Sequence, residues 1–463
     1  MSASAVGDRS VQSAAQASAR PVAETWFSWT GAIGLLVLVV WLIPIKSYTL
    51  PVHLPFSLEL YRLLLICFVL AWVAAAAAGK QRIAAGGFAK PLILLGCVGV
   101  LSIVANLRVI LNDGLQTQAL KSLSYFLSFL IVYVLVVSTV GSVRAVEAIV
   151  CVFVTGGVVV AVAAIYESRT QYNVFQHLQT WIPLLHPTHI VGVGHIRDGR
   201  LRVTASAQHP IALGAALVMA VPLAFYLVSR AHTRGQAIMW WAAGGLLLAG
   251  AVATVSRTVV LMALAMLAAG LYLRRDAVKR RWPVLIVIFV VVHFAAPGAV
   301  THLYSAFFPK QGLSGSLQAK SGAVGSGRLA DLAPGLRSWQ QVPFFGHGLG
   351  TGVSPDTVGT GAIVDPQTGA PIIFDDQYMN SLVSIGALGL IGVVWFVWGS
   401  AIALLRAARR RMTADGDLIA ACAVAIVGFG AGMLTFDAFS FVQCTLIFFV
   451  IAALGLRVRA LNA

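Results

Sequence analysis

Along this chain, apolar residues fall into blocks long enough to cross a bilayer, and polar residues gather in the links between them. A spanning helix needs about 20 mostly apolar residues. Blocks of that kind lie near 26–45, 60–79, 91–107, 122–140, 146–166, 210–229, 237–253, 257–273, 283–300, 378–405, 417–435 and 438–456. The pattern predicts an all-α polytopic membrane protein with about twelve transmembrane helices. The blocks 237–253 and 257–273 are parted only by residues 254–256, so they are expected to form a tight helical hairpin. Residues 1–25 are rich in Ala and Ser and lack the apolar core of a signal peptide. They are expected to form a disordered cytoplasmic tail, which leaves 26–463 as a single membrane domain.

Charge then gives an orientation. With the N-terminus inside and the spans alternating, the inside segments hold 19 Lys and Arg with 6 Asp and Glu, and the outside segments 13 with 10. The clusters RRDAVKRR (274–281) and RAARRR (406–411) fall in short links, where the positive-inside rule is most reliable. Both termini are therefore expected in the cytoplasm, with two long periplasmic loops at about 167–209 and 301–377. The chain is 59% hydrophobic and only 10% charged, against roughly 25% charged in a soluble domain. The net charge of +16 therefore sets topology and does not point to nucleic acid. Cys67, Cys97, Cys151, Cys422 and Cys444 all lie in apolar blocks without a CxxC pair, which suits core packing and not a disulfide framework. No nucleotide-binding loop stands in the inside links, so ATP is not the expected energy source.

The outside segments carry an unusual set of polar residues. HIRDGRLRVTASAQHP places Arg197, Arg200 and Arg202 just before a block that opens at His209-Pro210. Arg257 stands in TVSRT at the hairpin tip, Arg328 in GSGRLADL, and His347 in FFGHGLGTG. The second loop ends in FDDQYMN, which contains Asp375 and Asp376. Arginine offers planar, bidentate donors to phosphate, so arginines converging at the outer boundary suit a lipid-linked pyrophosphate. The same side chains also suit snorkelling or contact with anionic headgroups. Histidine is a residue type suited to general-base work near neutrality, which makes His347 a candidate, and a loop histidine is also a common surface residue. Asp375 and Asp376 suit either proton transfer and sugar binding or the N-cap of the following helix. His177, His186, His189 and His195 crowd the first loop without a spacing that specifies a metal site.

These elements together resemble the O-antigen ligase and polymerase superfamily. The resemblance covers roughly 200–400 and rests on RVTASAQHPIALG, similar to an Arg-x-Thr then His-Pro element, and on TVSRT, similar to a Ser-Arg element. It also rests on GRL followed by PFFGHGLG and on DDQYMNSLVSIGALG at a helix start. The resemblance implies a GT-C-like glycosyltransferase of the inner membrane with its site facing the periplasm. Its donor would be an O-antigen on undecaprenyl pyrophosphate, and the acceptor of a ligase is lipid A–core. Arg202 and Arg257, with Arg328 and Arg200, would hold the pyrophosphate. A base would deprotonate the acceptor hydroxyl for one inverting displacement, without metal or other cofactor. One departure stands out. Such ligases often carry His-Asn or His-Ser nine residues before Gly-x-x-Gly; here Gly386 and Gly389 fit, but Asp375 and Asp376 occupy the earlier places. The base is then His347 or an aspartate.

Polymerases share the carrier and the fold, and a ligase acting on protein would use the same donor chemistry. A lipid or polysaccharide transporter is the rival from another class. It would be expected to place charges near the bilayer midplane, whereas polar residues here crowd the outer boundary.

Overall fold

A computed structural model describes residues 28–51, 58–188, 196–197, 200–295, 332–352, 363–367, 372 and 374–462. The first half contains α1 (Trp29–Leu42), β1 (Tyr48–Thr49), α2 (Leu60–Ala77), α3 (Ala89–Ala105), α4 (Leu107–Asn112), α5 (Gln116–Thr139) and α6 (Val143–Thr170). A 3-10 turn (Val174–Thr180) and the short strands β2 (His186–Pro187), β3 (Ile196–Arg197) and β4 (Arg200–Leu201) follow. The second half contains α7 (Pro210–Arg230), α8 (Arg234–Ala253), α9 (Arg257–Ala295), α10 (Leu332–Gln341), α11 (Gln377–Arg410), α12 (Ala414–Gly432) and α13 (Val442–Leu461). Among the described residues, nine helices are long and apolar enough to cross a membrane, and α1 and α3 are shorter apolar helices. The chain is a multi-pass membrane protein.

The bundle is centred on α7, α12 and α13. In the apolar stretches of α7 and α13, 78% of residues are buried, against 22% in α2 at the periphery. Lipid tails are as apolar as leucine, so close backbone approach through small residues drives such packing. Gly214 of α7 shows how close: a Cβ there would meet Val259 Cγ2 at 2.4 Å and Thr254 Oγ1 at 2.7 Å, which seats the α8–α9 hairpin tip directly on α7. Stacked rings join the inner helices, Phe429 on Phe448 at 4.2 Å and Phe396 on Phe449 at 5.0 Å.

The expected link at 274–281 is not a loop. The backbone stays helical from Arg257 to Ala295 except at Arg274, whose φ −141° and ψ 54° break it. The break has a cause. Arg274 donates to Asp417 Oδ1 at 2.9 Å and to the carbonyl oxygens of Ala408 and Arg411 at 3.1 and 2.7 Å, at the end of α11. The last carbonyls of a helix lack intrahelical partners and attract cations. One arginine thus ties α9 to α11 and α12, and the break at Arg274 parts the block 257–273 from the helical stretch that leads into the block 283–300.

Candidate functional site

Polar side chains converge where α7, α9, α11 and α13 begin and α6, α8 and α12 end. The segment 433–441, between α12 and α13, crosses the middle of this end. Its Met433 carbonyl accepts from Gln377 N at 2.9 Å, and Gln377 Oε1 accepts from Phe439 N at 2.5 Å. Thr435 Oγ1 donates to Thr258 Oγ1 at 2.9 Å, beside Arg257. Lys46 Nζ reaches the Ser440 carbonyl at 3.3 Å, and Val442 N donates to Gln208 Oε1 at 3.2 Å. Four helix N-termini meet here, and their aligned peptide dipoles favour bound negative charge.

On one side stand the arginines. Arg202 Nε donates to the Thr254 carbonyl at 3.3 Å, which brings it onto the same hairpin tip as Arg257, the half-buried first residue of α9. The tip is tight enough to place Val255 at φ +49°. The segment carrying Arg202 is clamped from below. Glu167, buried in the last turn of α6, accepts from Thr204 N at 3.2 Å, Thr204 Oγ1 at 3.4 Å and Ala205 N at 2.7 Å. Asn173 Nδ2 donates to Thr204 Oγ1 and to the Ala205 carbonyl. His209 Nδ1 then accepts from Ile211 N and caps α7. Arg197 and Arg200 are register partners in the antiparallel β3–β4 backbone ladder.

On the other side stands the His347 loop, spliced into a broken helix. α11 is interrupted at Gly386, with φ +74° and ψ −177°. An unbroken helix would bond Ala387 N to Val383 O and Leu388 N to Ser384 O. Instead, Val383 O and Ser384 O accept from His347 N and Gly348 N, both at 2.9 Å. In return Ala387 N and Leu388 N donate to the Pro343 and Phe344 carbonyls at 2.8 and 3.4 Å. These four backbone groups freed by the break thus find partners in the loop, as buried backbone requires. Only glycine fits the crossing, since a Cβ on Gly346 would lie 2.5 Å from Val383 O. The His347 side chain is half-buried, with Nε2 3.0 Å from both Oγ and the carbonyl oxygen of Ser338 on α10. A carbonyl only accepts, so Nε2 carries the proton of the neutral ring and Nδ1 is its basic nitrogen.

The aspartates divide. Asp376 Oδ1 accepts from Tyr378 N at 2.7 Å and Met379 N at 3.4 Å, so it is the N-cap of α11. Asp375 is exposed. A third, Asp437, was not singled out by any motif. Its Oδ2 accepts from Ser440 Oγ, the Asn380 side chain lies beside it, and Oδ1 is enclosed with no well-aligned donor among the described residues. Burial pushes its carboxyl up to about 6, against the counteracting effects of Ser440, Asn380 and Lys46. Lys46 is held in turn by its backbone N–H on Glu59 Oε1 at 2.9 Å, and burial also raises the Glu59 carboxyl.

Arg202 and Arg257 are thus brought together. His347 and Asp376 belong to the α10–α11 side, and segment 433–441 lies between the two sides. Arg328, His189 and His195 lie outside the described residues. Among the described residues no group of three His, Cys, Asp or Glu side chains is placed to hold a metal ion. His177 packs edge-on against Tyr172, and His186 pairs with Thr49 in the β1–β2 ladder.

Residues 242–397 match the family model described as O-antigen ligase. This segment is thus similar to the O-antigen ligase superfamily, and the match supports that assignment. The matched segment includes the hairpin tip with Arg257, the His347 loop and the start of α11; Arg202 and Asp437 lie outside it. No curated protein matches the chain. The family supports a glycosyltransferase-like membrane enzyme of the O-antigen ligase or polymerase type, with lipid-linked glycan substrates.

Proposed function

We propose that this protein is an O-antigen ligase, transferring glycan from undecaprenyl pyrophosphate to lipid A–core at the periplasmic face of the inner membrane. The observation that carries this reading is the pairing of Arg202 and Arg257 on one hairpin tip, among converging helix N-termini, within a family of lipid-linked glycan transferases. Fixed guanidinium donors suit the diphosphate as it leaves, because preorganised charge stabilises what develops in the transition state. Arg328 and Arg200 are further candidates for the same diphosphate. The arginines supply the neutralisation that a divalent ion supplies elsewhere, so the transfer proceeds without metal and with inversion. In this reading the chain has twelve spans, both termini face the cytoplasm, and the loops at about 167–209 and 301–377 are periplasmic.

The acceptor hydroxyl must lose a proton as it attacks. His347, through Nδ1, and an aspartate are the candidates for that role. Asp376 suits it poorly, since a carboxylate oxygen fixed on backbone N–H groups is a weak base. The glycolipids of cells lacking the protein test the assignment. A ligase leaves lipid A–core bare while carrier-bound polymer accumulates. A single repeat on lipid A–core would instead make the protein a polymerase, and an unchanged profile would exclude both.

A further inference from the structure

The carboxylate of segment 433–441 has no role in the account above. Asp437 lies two residues from Thr435, whose hydroxyl bonds Thr258 beside Arg257. On its other flank lie Asn380, in the first turn of α11, and Ser440. It therefore stands between the arginine side and the α11 side, where an in-line reaction must bring its two substrates together. Ser440 occupies one carboxyl oxygen, and the other is enclosed with no well-aligned donor among the described residues. Buried polar atoms are nearly always hydrogen-bonded, and an exception calls for an explanation such as a ligand or a catalytic role. Ser440 and Asp375 are exposed, so the carboxyl sits one side chain below the surface.

We propose that Asp437 is the catalytic base, its Oδ1 taking the proton of the acceptor sugar hydroxyl. This rests on the glycan-transfer reading. The hydroxyl O–H bond breaks and its proton passes to Asp437. The acceptor oxygen forms its bond to the anomeric carbon. The bond from that carbon to the phosphate oxygen breaks, and its electron pair leaves with the lipid pyrophosphate, whose charge Arg202 and Arg257 hold. His347 is linked by its hydrogen bonds to Ser338 and Val383, and acts here as the residue that splices the loop into α11.

The charged groups facing Asp437 are Lys46, from the segment after α1, and Asp375, before α11. Arg257 adjoins Thr258 on the α9 side, and the His209 ring of the α7 side packs at a tilt on Phe441 at 5.2 Å. Burial outweighs these and leaves the carboxyl near 6, ionised at neutral pH yet more basic than an exposed aspartate.

The test uses the full chain in lipid nanodiscs, with a polyprenyl-pyrophosphate-linked glycan as donor and both lipid A–core and a second donor molecule as acceptors. Transfer is followed between about pH 5 and about pH 8, and donor binding is measured separately. Asp437→Asn is expected to lower the rate by at least about 100-fold at every pH, with donor binding unchanged. Asp437→Glu should keep part of the rate and shift the limb on the acid side, whereas His347→Ala should leave that limb where it is. A limb that survives in Asp437→Asn, or vanishes in His347→Ala, overturns the proposal. If Asp437→Asn is not recovered folded, an unshifted limb in Asp437→Glu overturns it equally. Wild-type protein that neither binds the donor nor transfers to either acceptor overturns the glycan-transfer reading itself, a result distinct from losses confined to the variants.

Discussion

Glu167 and Asp437 are both enclosed carboxylates at the same end of the bundle, and they are built differently. Glu167 accepts from three donors on Thr204 and Ala205, and Asn173 holds the same two residues from the side. Its bonding capacity is filled within the fold, and the result is a rigid segment just past Arg202. Asp437 has one oxygen on Ser440 and one without a well-aligned donor. Burial of an acid therefore does not by itself mark chemistry; what distinguishes Asp437 from Glu167 is an enclosed oxygen without a well-aligned donor at the meeting point of the two sides. The contrast predicts opposite phenotypes for removing the two charges.

The largest expected effect is on turnover. Asp437→Asn should lose at least about 100-fold in rate while the protein stays folded. Its stability should also respond to pH in a defined direction. Burial raises the folded pKa from the ordinary 3.8 to about 6. The folded state then binds the proton more tightly than the unfolded state, so wild-type stability falls as pH rises through that window. Asp437→Asn should gain on wild type over the same window and hold the gain above it, as thermal unfolding at several pH values would reveal. Glu167→Gln should do the reverse. It should lower the unfolding midpoint, because charged hydrogen bonds worth about 1.5–3 kcal/mol each are weakened, while turnover per folded molecule stays near normal. Equal loss of stability in both variants would erase the distinction.

Next in size, Arg202→Ala and Arg257→Ala should each lower transfer by at least about tenfold, with lysine restoring only part of it at a bidentate contact. Measured donor affinity should fall with the rate. Normal affinity in both alanine variants would remove the pyrophosphate from this hairpin. Below that lies Gly346→Ala. Its Cβ would sit 2.5 Å from Val383 O at φ +66°, so the loop must leave the α11 break. Strain of this kind costs about 1–3 kcal/mol, and protease cleavage near His347 should report the release. The smallest effect is that of Asp376→Ala, where loss of an N-cap costs about 1 kcal/mol and Asp376→Ser should recover most of it. A large, stability-independent loss of rate in Asp376→Ala would return this residue to the chemistry.

The candidate site residues were legible where local chemistry singles them out. Arg202 and Arg257 sit at block edges, where a guanidinium stands out, and the glycines around His347 permit a close backbone approach, which in the structure is made to α11. Asp376 before an apolar run could be read as a cap, and is one. Asp437 could not be read this way. It lies in a short link with no motif around it, and its surroundings include Asn380 and Lys46, both distant in the chain, besides Ser440 of the same link. A faint signal existed, since an acid in so short a link between two apolar blocks has little water to reach.

The sequence by itself determined the solvent and the element type. Blocks of apolar residues long enough to span a bilayer can satisfy their backbone only as helices, whatever their neighbours are. It also pointed to the hairpin at 254–256, where two apolar blocks of near-spanning length meet across three residues. Tertiary structure alone decided where helices break and which polar groups share a site. Gly386 interrupts α11 because a loop from residues 343–348 replaces the lost hydrogen bonds, and Arg274 interrupts α9 because the end of α11 offers it bare carbonyls. Both depend on partners distant in sequence. A helical period records which face is apolar and carries no record of what will lie against it.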